Sequence, residues 1–138
     1  MTDSGGRRGA GQRSPAAVEL RVTARVENLA VLRTLVGAVG TFSDLDFDRV
    51  ADLRLAVDEA CTRLIRSAPA DATLVVVVDP QEDVVVVETS APCDAEDVVT
   101  PGSFSWHVLT SLLNDVQTFR DGEVFGIVMT MGRAGVSR

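Results

Sequence analysis

Glu59 and Arg63 stand four residues apart in the stretch LAVDEACTRLI, residues 55–65, and are the pair most able to do chemistry in this chain. A carboxylate on a helix can take a proton as a general base, and its position relative to a bound substrate decides whether it does. Glu followed four residues later by Arg is also the favourable orientation for an exposed helical ion pair, worth about 0.2–0.5 kcal/mol. Both readings stand on the residues alone.

Other reactive types are scarce. All thirteen basic residues are arginine, so every mechanism that needs an amine is excluded, including a P-loop lysine and a Schiff base. His107 is the single histidine, and Cys61 and Cys93 are the only thiols. A closed zinc site of nitrogen and sulfur ligands cannot be assembled from one such chain, so no metal site is expected. Cys61 repeats with a helical core stripe and reads as a small buried hydrophobe, whereas Cys93 falls in a polar loop and reads as an inert surface thiol. His107 reads as structural.

The elements that must hold these residues follow from periodicity. Residues 18–25, VELRVTAR, alternate apolar and polar as a half-buried strand does. Asn28 is placed to cap a helix on which Leu29, Leu32, Leu35, Val36 and Val39 share one face and Arg33 takes the other. After the acidic turn TFSDLDFD, a second helix runs from Asp46 to Ala68 with Asp44 or Asp46 as its cap; Val50, Leu53, Val57, Cys61, Leu64 and Ile65 form its stripe, and Glu59 lies off it.

Two valine-rich runs, TLVVVVD and DVVVVETS, turn at PQE as a hairpin. Such continuous apolar runs predict strands covered on both faces at mid-length. A polar stretch, SAPCDAEDVVTPG, leads to a third helix entered at Ser103 or Ser105, and two strands turning at Asp121-Gly122 close the chain. The order βααββαββ predicts an α+β two-layer sandwich, a mostly antiparallel sheet covered on one face by three helices.

At 138 residues one domain is expected, with 46% hydrophobic residues and no apolar run near the roughly 20 that cross a bilayer. Residues 1–17 read as a disordered, Arg-bearing arm without the apolar region of a signal peptide, ahead of a domain over 18–138, which predicts a cytoplasmic location. The chain carries a net charge of −7, and its body is more acidic than that because the arm is basic. An acidic body repels phosphate backbones, so direct nucleic-acid binding is not expected.

The element order, with E-A-x-T-x-x-I in the long second helix, resembles the GHKL ATPase fold in its smallest form, the anti-sigma factor serine kinases of the RsbW and SpoIIAB type. LRTLVGAVGTFSDLDFD, DLRLAVDEACTRLIRSA and PGSFSWHVLTSL, in that order, are most similar to the actinobacterial anti-sigma-F subgroup. The likeness spans roughly residues 18–131.

In the family's kinases a helix of pattern E-x-x-x-N supplies a base and an oxygen ligand for Mg-ATP. Glu59 matches the glutamate, and Arg63 stands in the asparagine's place. A guanidinium has only donors and cannot ligate Mg²⁺. The family's D-x-G-x-G adenine loop corresponds to ETSAP, with Glu88 for the aspartate and Ser90 and Pro92 for glycines; its phosphate-wrapping G-x-G corresponds to Ser103-Phe104-Ser105.

The nucleotide lid between these motifs is short. Free amides after Gly102 could still attract an anion at the start of the third helix. The resemblance thus implies a kinase-like fold with weak or absent nucleotide binding and a vestigial base at Glu59. It also implies an anti-sigma factor that sequesters an alternative, stress-response sigma factor through Arg33 and the adjoining loop, forms a homodimer and is released by an anti-anti-sigma partner. The alternative is an active kinase that phosphorylates that partner with Mg-ATP. A third reading is an orphan fold with unrelated partners.

Overall fold

The computed structural model describes residues 13–94 and 98–133. Strand β1 (Val18–Thr23) leads through a single 3-10 turn, Val26–Asn28, into α1 (Leu29–Phe42), and α2 (Phe47–Ser67) follows. The hairpin β2 (Thr73–Pro80) and β3 (Val84–Pro92), then α3 (Phe104–Leu112), β4 (Asp115–Asp121) and β5 (Val124–Gly132) complete the order. The five strands pair antiparallel throughout, in the spatial order β1-β2-β3-β5-β4. No helix among the described residues is long and apolar enough to cross a membrane.

The expected two layers are present. Leu32 and Val36 of α1, Leu53, Val57, Cys61 and Leu64 of α2, and Leu109 of α3 bury in one cluster with Leu74, Val76, Val78, Val85, Val87 and Ile127 of the sheet. Strand alternation puts the intervening residues on the other face, where Val77, Val128 and Phe119 are also buried but belong to no part of that cluster. On that outer face Phe119 lies over Gly126, at a place where a Cβ on the glycine would come within 2.1 Å of the ring.

Helix starts resolve the alternatives left by the sequence. Asp46 caps α2, accepting from the Arg49 amide at 2.8 Å, while Asp44 takes a left-handed φ of 63° in the turn. Ser103 caps α3 by accepting from the Trp106 amide at 3.1 Å, which frees Ser105 for another partner. Asn28 precedes α1 as expected but makes no capping bond; its amide donates instead to the Thr23 carbonyl at 2.7 Å and closes the preceding turn.

Two expectations are corrected. Cys93 is not a surface thiol: β3 continues through Pro92, and pairing there with β5 carries Cys93 inward to 4% exposure, its Sγ directed at the Leu64 carbonyl. The disordered arm expected over 1–17 does not extend to its end, because the Ser14 hydroxyl and amide both donate to the buried Asp79 carboxylate and Arg13 pairs with Glu19 at 2.9 Å. Residues 1–12 lie outside the described residues.

Candidate functional site

Three of the residues singled out in the sequence meet where α2 passes the start of α3, whose cap is Ser103. Glu59 and Arg63 lie one turn apart on α2, with Arg63 Nε 3.2 Å from Glu59 Oε2. The same oxygen accepts a 2.7 Å hydrogen bond from the Ser105 hydroxyl, 46 positions along the chain. Ser105 is buried, and the Glu59 side chain is 25% exposed. The pair is therefore not the exposed surface contact that its spacing predicts; it is half-buried and tied to a second helix.

This arrangement determines what the site can do. Glu59 Oε2 accepts from both a hydroxyl and a guanidinium, and these two charge-assisted bonds fix the carboxylate between the two helices. Its negative charge stands against the first turn of α3, where a phosphate would otherwise meet free amides, and like charges repel there. Arg63 adds donors and no acceptor. Among the described residues no three His, Cys, Asp or Glu side chains gather as a metal site would need.

The other three expected positions are elsewhere. Glu88, Ser90 and Pro92 belong to β3, where they pair with Val77 and Val128, with Val75 and Gly126, and with Val124 respectively. By alternation they point to the outer face of the sheet, away from Glu59. The expected adenine loop is here a paired strand that ends at Pro92, two residues beyond the last β2–β3 pair, Val75 with Ser90. The polar side chain that β3 turns towards the helices is Thr89, fully buried, with its hydroxyl donating to the Ile127 carbonyl at 3.4 Å. The sequence gives no signal for it beyond the strand's period of two.

Arg33 occupies the outer side of α1 as expected, with its side chain 46% exposed, but it is not a lone solvated charge. Its Nε bonds Asp58 Oδ1 of α2 at 2.8 Å, a clasp between helices that spacing along one helix cannot predict. Beside it the two helices leave a groove of about 760 Å³ bordered by Arg33, Arg54, Phe42 and Phe47.

Burial pushes the Cys61 and Cys93 thiols up from their ordinary pKa, so neither is a ready nucleophile. His107 is exposed on α3.

No family model matches the chain. Over 134 residues it is 69% identical to a protein of Mycobacterium tuberculosis, in strains CDC 1551 / Oshkosh and ATCC 25618 / H37Rv, that bears the name anti-sigma-F factor RsbW; the likeness covers 92% of this chain and 80% of that protein. A serine-protein kinase RsbW of Bacillus cereus (strain AH187) is 28% identical over 51 residues, 37% of this chain and 32% of its own length.

Among solved structures, the crystal structure of the RsbU and RsbW domains of a Mycobacterium tuberculosis protein superposes with a TM-score of 0.67 at 11% identity, covering 88% of this chain and 34% of that one. That likeness shows the fold. The identity with the mycobacterial protein, over nearly the whole domain, shows more: the chain belongs to the family of anti-sigma-F factors RsbW.

Proposed function

We propose that this chain is a sigma-factor antagonist that holds an alternative, stress-response sigma factor by direct protein contact and does not depend on a bound nucleotide to do so. The observation that carries the reading is the 69% identity, over 92% of the chain, with a protein named anti-sigma-F factor. The geometry supports contact over phosphoryl transfer. The expected base is engaged by Ser105 and Arg63, the magnesium-ligand position presents a guanidinium, and the adenine-loop positions face the opposite side of the sheet. These residues do not fit Mg-ATP.

Release in this reading is partner exchange: an anti-anti-sigma protein that competes for the antagonist shifts the population by its relative affinity. The antagonist acts as a homodimer in the cytoplasm. Arg33 is the contact residue on α1, since a forked guanidinium suits a carboxylate-bearing partner and is a frequent interface anchor. Arg33→Ala weakens binding to a sigma-F factor by more than about tenfold, or 1.4 kcal/mol. The lost pair with Asp58 is half-exposed and costs the fold only about 0.2–1 kcal/mol.

The nucleotide side of the proposal is tested by thermal melts of the wild type and of Arg63→Asn with ATP and Mg²⁺. Neither protein gains stability, because the substitution restores an oxygen ligand without restoring the rest of the site. A ligand-dependent rise in Tm of the kind mass action gives at many times Kd, accompanied by phosphate transfer to an anti-anti-sigma serine, makes the kinase reading the correct one.

A further inference from the structure

Asp58 has a cation on its own helix nearer in sequence than the one it binds. Arg54 stands one turn before it on α2, at the spacing of a helical ion pair. The stem of Arg54 runs instead over Gly37 of α1, its Cδ 3.5 Å from where a Cβ on that glycine would stand. The Asp58 carboxylate reaches across to α1 and accepts from Arg33 Nε at 2.8 Å, from a residue 25 positions earlier in the chain.

Which nitrogen is used matters. A guanidinium carries its N–H donors in one plane, and the bond to Asp58 takes the donor on Nε. No hydrogen bond or ion pair from Arg33 Nη1 or Nη2 accompanies it among the described residues. The end of the fork, where two parallel N–H groups can take both oxygens of a carboxylate, is uncommitted. The clasp borders a hollow of about 380 Å³ that Ala51 and Leu55 also line, and Leu55 is 59% exposed, so a second carboxylate has room to approach.

From this we infer that Asp58 is a positioning residue for sigma-factor binding: by holding Nε of Arg33 it presents the Nη1–Nη2 edge, already aimed, to a carboxylate of the partner. The inference rests on the reading of Arg33 as a contact residue, and it adds a residue of α2 that acts through Arg33 without touching the partner. An arginine that is not held gives up rotamer freedom when it binds, and a clasp that has fixed it beforehand removes that loss from the association step. The negative charge of Asp58 acts in the opposite sense, since it repels an incoming carboxylate. With 32% of the Asp58 side chain and 46% of the Arg33 side chain exposed, water and salt screen that repulsion. Orientation outweighs it, and position 58 needs an oxygen acceptor more than it needs a charge.

The probe is the purified sigma-F factor of Mycobacterium tuberculosis, titrated calorimetrically into the full-length wild type, Asp58→Ala, Asp58→Asn, Arg33→Ala and the double variant Arg33→Ala/Asp58→Ala. Each variant is first shown to melt within a few degrees of the wild type. The expected result is an affinity about three- to tenfold lower for Asp58→Ala, the size of one side chain's ordering cost. Asp58→Asn, which keeps an oxygen acceptor and drops the charge, binds within about twofold of the wild type, and the double variant binds no more weakly than Arg33→Ala. Wild-type or tighter binding by Asp58→Ala overturns the inference, because Asp58 is then a bystander or a competitor for Arg33. Asp58→Asn as weak as Asp58→Ala overturns it in favour of a charge effect. A further loss in the double variant overturns it by making Asp58 a contact in its own right. Full affinity in Arg33→Ala overturns the reading of Arg33 and the inference with it, and no binding by the wild type overturns the antagonist reading as a whole.

Discussion

Removing the hydroxyl of Ser105 isolates the contact on which the reading of Glu59 depends. The Ser105 hydroxyl donates to Glu59 Oε2 at 2.7 Å from a buried position, and a hydrogen bond to a charged group is worth about 1.5–3 kcal/mol. The carboxylate keeps 25% of its side chain in water, which brings the expectation to the low end of that range. Ser105→Ala therefore costs about 1.5 kcal/mol, and Glu59→Ala at least as much, because it strands a buried hydroxyl and also frees Arg63. In a double-mutant cycle read by urea melts at constant m, the coupling between the two positions is about 1–2 kcal/mol. The corresponding cycle for Glu59 and Arg63, with 39% of the arginine side chain exposed, gives no more than about 0.5 kcal/mol. Equal and negligible couplings in both cycles refute the claim that Glu59 is a structural tie between α2 and α3.

Leu64 is fully buried beneath α2 and Arg66 is exposed on it, so Leu64→Ala costs about 2–5 kcal/mol in urea melts while Arg66→Ala stays within about 0.5 kcal/mol. Gly126→Ala drives a methyl into the Phe119 ring and costs about 1–3 kcal/mol; adding Phe119→Ala yields a combined loss smaller than the sum of the two single losses, since the clash goes with the ring. Burial raises the Cys61 and Cys93 thiol pKa in the folded chain, so the folded state keeps protons that the unfolded state gives up. Stability is then full below the unfolded thiol value of about 8.5 and falls as pH rises above it. The chain has neither lysine nor tyrosine to mask this alkaline limb, and Cys61→Ala/Cys93→Ala flattens it in melts from pH 7 to pH 10.

The elements themselves were legible because each carries its own period. The α1 and α2 stripes and the two valine runs name their faces without reference to anything distant, and Leu32, Val36, Leu53, Val57, Cys61 and Leu64 all bury as that pattern requires. What was not legible depends on partners far along the chain. SAPCD has a loop's composition, yet nine residues of β5 pair with β3 and hold it extended as far as Pro92, which buries Cys93 and turns Glu88 outward. Ser105 meets Glu59 across 46 positions and Arg33 meets Asp58 across 25, so neither contact leaves a trace in local spacing. Motif matching assigned Glu88, Ser90 and Pro92 to one site with Glu59; strand alternation separates them.

The measurement that tests the central claim most directly is a calorimetric titration of the sigma-F factor of Mycobacterium tuberculosis into this protein, run without nucleotide and again with saturating ATP and Mg²⁺. Binding with the same Kd in both runs is expected, because Glu59 is held by Ser105 and Arg63 and the residues present do not fit Mg-ATP. Binding that appears only with Mg-ATP, or a Kd that changes tenfold on adding it, contradicts the account and restores a nucleotide to this fold.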